Sequence, residues 1–289
     1  MKQTVDEKIR DALTAEGEEL WRLVRDPHPD VPASAVLNRN LSEEMAVSIA
    51  KRRNISAETI GFLAGDVRFR SSYRLKNAIC RNPRTPQRIT FSLLKFLRIF
   101  DLADISKDQQ IPVEVRRKIE FILAEKIRPM PAGVKIALAR RANAATLLVL
   151  MAKGDARVVA ACLESPVLTE GHLYRLITRA ETKPEVIKTI SVHPKWSLRY
   201  HVKYSLIRNY FTPMSEVLAF IKSMKTADLR ELYADPKVPV STKPFLFSEL
   251  QERGEPVETG EQEAFDLPEG EETGLPAVDA DRGTDHPVS

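Results

Sequence analysis

The chain has 289 residues, 43% of them hydrophobic and 7% aromatic, which is enough for one large domain or two ordinary ones with a buried core. No stretch approaches the ~20 consecutive apolar residues of a membrane span, and the longest apolar run, from Thr146 to Ala152, suits a single core helix. The net charge of +4 conceals an asymmetry: residues 254–289 hold seven Glu and four Asp against one Arg, a net of −10, which leaves +14 on the body before them.

In chain order, the segment from Met1 to Lys8 lacks the apolar core of a secretory signal, so a cytoplasmic location is expected and no membrane partner. The Asn54-Ile55-Ser56 triplet is accordingly not read as a glycosylation site. The first ~25 residues read as one amphipathic helix with Val5, Ile9, Leu13, Leu20, Trp21 and Val24 as candidate buried positions. A helix there, taken as a unit over residues 1–26, would cap the apolar face of whatever follows.

From residue 27 onward the sequence matches itself at a spacing of 127 residues. Tyr73 aligns with Tyr200, Lys76 with Lys203, and Arg81-Asn82 with Arg208-Asn209. Thr85-Pro86 aligns with Thr212-Pro213, Asp101-Leu102 with Asp228-Leu229, Asp108 with Asp235, and Pro112-Val113 with Pro239-Val240. Upstream, Val31 pairs with Val158, Glu43 with Glu170 and Ile60 with Ile187, while Phe69 meets Trp196. The expected organisation is therefore a first unit over 27–153, a second over 154–253, and an acidic tail over 254–289. That tail has too little apolar surface to offset its chain entropy and is expected to be disordered.

The matched residues are mostly helix punctuation. In Asn82-Pro83-Arg84-Thr85-Pro86, Asn82 suits a left-handed helix exit, Pro83 prevents continuation, Thr85 suits an N-cap and Pro86 the first helical position. Residues 209–213 repeat the device with Tyr210 in place of the first proline. Pro112 and Pro239 are each read as opening a later helix, and Pro244 places the start of the last one near Ser241 or Thr242. Helical spacing, as in Ile119, Ile122 and Leu123, fills the intervals, and no alternating strand pattern competes. The predicted fold is all-α, an α-solenoid built from a tandem duplication of about 127 residues.

The segments Ala78-Ile79-Cys80-Arg81-Asn82-Pro83-Arg84-Thr85-Pro86 and residues 155–166 (DARVVAACLESP) carry a resemblance to HEAT-like solenoids, and more particularly to the bacterial leucine-rich repeat variant. The resemblance spans residues ~27–253 and implies antiparallel helix pairs that present a surface to a partner. Spacings of about 24, 44 and 59 residues between turns depart from a regular array. The iron–sulfur cysteine cluster known in one branch of that class has no counterpart here, because Cys80 and Cys162 are the two cysteines and both are read as buried free thiols.

Motifs for catalysis are missing: there is no phosphate-binding glycine loop, no H-E-x-x-H and no G-x-S-x-G. No catalytic residue, metal site or cofactor is assigned. His193 and His201, separated by Pro194, are read as surface or packing positions. Asp101 and Asp228 are read as helix caps, and Trp196 as a core wedge where the first unit has Phe69.

The candidate binding face is basic. Arg68, Arg74, Lys76 and Arg81 surround the first turn motif, together with Arg70, Arg84 and Arg88; Lys195, Arg199, Lys203 and Arg208 echo them, and Arg140 and Arg141 lie between. In a stacked array such positions form a stripe that could meet phosphates or an acidic partner, or simply solvate helix faces. The expected function is a non-enzymatic scaffold presenting this surface to a protein or peptide. The alternatives are a nucleic-acid-binding solenoid and, further off, a HEAT-like DNA glycosylase. The acidic tail is a further candidate partner for the same basic face, in cis.

Overall fold

The computed structural model describes residues 3–153 and 155–255. It begins with α1 (Val5–Ala12), α2 (Gly17–Val24), α3 (Asp30–Ala35), α4 (Glu43–Ala50) and α5 (Ala57–Gly65), then one 3-10 turn at Val67–Phe69. Next come α6 (Tyr73–Cys80), α7 (Gln87–Leu94), α8 (Ile99–Lys107), α9 (Val113–Ile127) and α10 (Ala132–Ala139). α11 (Ala144–Lys153), α12 (Ala156–Leu163), α13 (Glu170–Ile177) and α14 (Pro184–Ser191) follow, then α15 (Tyr200–Ile207), α16 (Met214–Ser223), α17 (Thr226–Ala234) and α18 (Lys243–Glu252). The described residues hold 18 α-helices and no strand, so the fold is all-α. None of these helices is long and apolar enough to cross a membrane. The expectation of a disordered tail falls almost wholly on residues 256–289, which lie outside the described residues.

Most of the helices have eight to ten residues, a length that is marginal for an isolated helix in water, so tertiary packing has to hold them. Their starts are chemically marked. The side chains of Thr4, Ser42, Ser56, Ser72, Asp155 and Thr169 each accept a backbone N–H of the first turn. Pro86, Pro112, Pro131 and Pro213 stand at the N-cap itself and offer no such acceptor. Pro244 sits in the first turn of α18, behind Thr242 as N-cap, as its position in the sequence predicts.

Threonine does something other than the expected capping in the turns between α6 and α7 and between α15 and α16. Thr85 donates its hydroxyl to the Ile79 carbonyl at 2.6 Å, and Thr212 donates to Leu206 at the same distance. Thr182, ahead of α14, donates likewise to Leu176. Each threonine stands two residues before a helix and points back to satisfy an orphan carbonyl at the end of the previous one. Proline holds the N-cap position after Thr85 and Thr212, and Lys183 holds it after Thr182, so the hydroxyl is free to face the core.

Asparagine ties helices that are not consecutive. Asn82, just past α6, donates its amide to the carbonyls of Ala50 and Arg52 at the end of α4, and its side-chain oxygen accepts from the Arg84 N–H. Asn209, just past α15, repeats this with Ile177 of α13 and the Phe211 N–H. Asn38 does the same for Ala12 and Ala15 at the end of α1. Three buried or half-buried amides thereby join the ends of alternate helices, a role carried by the side chain.

The packing follows the same alternation. α2 lies on α4 and α4 on α6; α10, α12 and α14 form a second row; α11, α13 and α15 a third; and α16 rests on α18. The buried core has two parts that meet at α6 and α7: Ile79 belongs to the first, Cys80 to the second, and Leu93 of α7 packs against both. This seam is far from residue 153, where the self-match divides the chain.

The N-terminal segment is two helices where one was predicted. Gly17 opens α2 with a positive φ of 55°, which breaks the continuity of an amphipathic run. α1 packs on α3, while α2 packs on both α3 and α4, and one straight helix could not meet both surfaces. Leu20 and Val24 are buried as predicted, whereas Val5 and Leu13 stay exposed.

Candidate functional site

Two grooves open between alternating helices, one in each of two rows. The first, of about 570 Å³, lies between α4 and α6 and is lined by Lys51, Arg53, Tyr73, Arg74, Asn77 and Arg81, with Asp101 of α8 at its side. The second, of about 370 Å³, lies between α13 and α15 and is lined by Tyr174, Arg179, Arg208, Tyr210, Phe211 and Lys237. Their walls correspond at the 127-residue spacing. Arg81 and Asn82 line the first as Arg208 and Asn209 line the second, Val47 is matched by Tyr174, and Ala78 by Ser205. Chemically they have diverged. The first is rimmed by four cations, the second by three cations and three aromatics, with Tyr210 77% exposed.

Inside the first groove Arg81 and Asp101 share a hydrogen-bonded network. Tyr73 donates its hydroxyl to Asp101, which also accepts from Asn77 at 3.2 Å and from Arg81 at 3.3 Å. The Arg81 Nε donates to Asn77 at 3.0 Å, and Arg81 lies 3.6 Å from Asp104, which is paired with Arg141 at 2.5 Å. Burial alone would raise the Asp101 carboxyl, but the hydrogen bonds from Tyr73, Arg81 and Asn77 and the Arg81 charge outweigh it and hold it below the usual carboxylate range. Burial and the Asp101 hydrogen bond push the Tyr73 hydroxyl up. Asp101 thus works as an acceptor across helices, and the capping role expected for it is not what its carboxylate does.

The second site repeats the tyrosine–aspartate link and changes the arginine. Tyr200 donates to Asp228, yet Arg208 pairs with Asp235 at 2.5 Å, a residue later in the chain than its counterpart's partners would suggest. Tyr204 takes the place of Asn77, and burial with the nearby Glu231 carboxylate pushes its hydroxyl up to about 12. Neither site brings a nucleophile together with a base. Both offer fixed guanidinium groups beside a polar floor, an arrangement suited to recognising an anion.

The ten basic residues singled out in the sequence go to several places. Arg74, Arg81 and Arg208 line the grooves. Lys76 lies over the Phe96 ring and Lys203 bonds Ser223, equivalent positions at the edge of the same helices. Arg68 is consumed by Asp66 and the carbonyls of Val36, Asn38 and Arg39. Arg141 is held by Asp104, Lys195 stacks on Trp196, Arg199 pairs with Glu170, and Arg140 is exposed. Lys51, Arg53, Arg179 and Lys237, together with Tyr174, Tyr210 and Phe211, are groove residues that sequence reasoning did not select. The replacement of Pro83 by Tyr210 between the matched turns was the available signal for the aromatic rim.

Other expectations resolve within the helices. Trp196 is buried and donates its indole N–H to the Leu163 carbonyl at 2.8 Å, which agrees with the core wedge. His193 is buried, accepts from the Lys195 N–H and lies 3.2 Å from Glu164. It occupies the place that Asp66 holds toward Arg68 127 residues earlier. Cys80 and Cys162 are buried free thiols. Among the described residues no three of His, Cys, Asp and Glu gather as a metal site. No protein-family model, curated protein or solved structure matched the chain.

Proposed function

We propose that the chain is a non-enzymatic α-solenoid scaffold, built from two copies of a unit of about 127 residues, that binds an acidic protein or peptide along the two grooves. The observation that carries this reading is the pairing of Arg81-Asn82 and Arg208-Asn209 as walls of two grooves at corresponding positions. Two such sites on one molecule would engage an extended segment at two points and gain from the linkage between them. The rim chemistry sets a polarity: carboxylates in the first groove, carboxylates interleaved with apolar or aromatic side chains in the second.

A nucleic-acid role has the +14 body in its favour. Arg81, Arg141, Arg199 and Arg208 are already engaged by carboxylates of the chain, which lowers the field for phosphates and peptide carboxylates alike; what favours a peptide is the aromatic rim of the second groove, Tyr174, Tyr210 and Phe211. Fluorescence anisotropy with a labelled Glu- and Tyr-containing peptide, and with labelled 20-mer single- and double-stranded DNA, separates the two. Peptide binding is expected to weaken at least tenfold in the surface double variant Lys51→Glu/Lys237→Glu. DNA binding that is tighter than peptide binding, with a salt slope of about −0.9 per phosphate contact, would favour the nucleic-acid reading instead.

A further inference from the structure

α11 is apolar on nearly every side (Ala144-Ala145-Thr146-Leu147-Leu148-Val149-Leu150-Met151-Ala152), the pattern of a helix covered all round. Leu147, Leu150 and Met151 are covered by the core. Its remaining face, with Ala145, Leu148, Val149 and Ala152 at helical spacing, lines a third groove of about 640 Å³ with Ile127 of α9. The rim of that groove is cationic: Arg128, Lys135 and Arg179 stand around it, and no acid lines it among the described residues. An apolar floor inside a ring of cations fits an acidic segment that carries two or three apolar side chains.

The chain contains one such segment beyond the described residues. Residues 261–272 read Glu-Gln-Glu-Ala-Phe-Asp-Leu-Pro-Glu-Gly-Glu-Glu, with Phe265 and Leu267 enclosed by five Glu within that stretch and Asp266 between them. We propose that this segment occupies the α9–α11 groove in cis, Phe265 and Leu267 covering Leu148 and Val149 while the flanking carboxylates meet Arg128, Lys135 and Arg179. The proposal does not depend on the peptide reading of the two matched grooves. Geometry permits it. From Glu255, which is held by Arg230, the 12 residues to Leu267 span up to about 40 Å when extended. α18 connects to α11 through the packed pairs α18–α16, α16–α15, α15–α13 and α13–α11, at about 8–10 Å each.

The test uses the full chain and a labelled synthetic peptide covering residues 259–273. The double variant Phe265→Ser/Leu267→Ser should free the groove and bind the peptide. The unmodified chain should bind it at least tenfold more weakly, because its own tail competes at high effective concentration. Adding Leu148→Glu to the double variant should abolish binding, and so should adding Arg128→Glu, an exposed position that lines neither matched groove and so guards against a folding defect. Failure of the double variant to bind, or equal binding by both chains, would overturn the proposal. Binding that is lost with Lys51→Glu/Lys237→Glu and kept with the α9–α11 changes would also overturn it, while supporting the matched-groove reading. An increase in hydrodynamic size with concentration that the double variant abolishes would reject occupancy in cis.

Discussion

The Tyr73 hydroxyl donates to the Asp101 carboxylate across α6 and α8, and the same oxygen accepts the backbone N–H of Arg98 at the start of α8. One phenol thus anchors both a half-buried acid and the entry of a helix whose N-cap residue has no side-chain cap of its own. Tyr200 does the same for Asp228 and the Lys225 N–H.

Tyr73→Phe should therefore destabilise the protein by about 1.5–3 kcal/mol, the range for a hydrogen bond to a charged group, read as a lower urea midpoint at pH 7. It should also change the acid limb. Asp101 has its carboxyl held below the unfolded value of about 3.9, so its contribution is present above that value and disappears as pH falls through the folded one. Below about pH 4 the gap between wild type and variant should narrow. A gap that stays constant down to the acid transition would mean that Tyr73 contributes nothing to the Asp101 charge.

Asn82→Ala should be worse than Asn209→Ala. Asn82 is 4% exposed and makes three hydrogen bonds through its side chain, two to the end of α4; Asn209 makes two and is less covered. Removing a buried amide that satisfies backbone carbonyls should cost about 2–4 kcal/mol at Asn82 and about half of that at Asn209. Thermal or urea unfolding of the two single variants ranks them, and equal losses would contradict the geometry.

At the alkaline end, Tyr204 has its hydroxyl pushed up to about 12 by burial and by Glu231. A raised folded value means the stabilisation is complete below the unfolded value of about 10 and is lost as pH rises toward 12. Tyr204→Phe should flatten the loss of stability between those limits relative to wild type, by about one proton in the slope. Following the unfolding midpoint from pH 9 upward measures it.

Burial pushes the Cys80 and Cys162 thiols up to about 12, so at pH 8 the native protein should react with a disulfide reagent only through unfolding. Both thiols should label within seconds in denaturant. Over hours under native conditions the rate should track stability, accelerating in Asn82→Ala. Rapid labelling of the native wild type would show that one of the two sites opens locally.

Much of the local architecture was legible along the chain, because helix ends are decided by nearby residues. Pro112 and Pro244 mark the starts they were expected to mark, and Trp196 fills a core position like Phe69. Thr85 and Asp101 were legible as important and misread in role. Both have the chemistry of a cap, and the choice between a neighbouring N–H and a partner on another helix depends on where that helix lies. The grooves were less legible still. Arg74, Arg81 and Arg208 were selected for charge, but Lys51, Arg179 and Lys237 have the same charge and nothing in their immediate sequence separates them from solvent-facing cations.

By itself, then, the sequence determined the helical character of the described chain and the positions of its main turns, through proline, side-chain caps and the periodicity of apolar residues, all of which act over a few residues. The tertiary structure alone decided which cations face a groove and which are spent on Asp66, Asp104 or Glu170, and that the apolar α11 keeps one face only half covered. Those outcomes depend on which alternate helices are stacked and at what rotation. The carbonyls that Asn82 and Asn209 reach, 30–32 residues back in the chain, help to set that stacking.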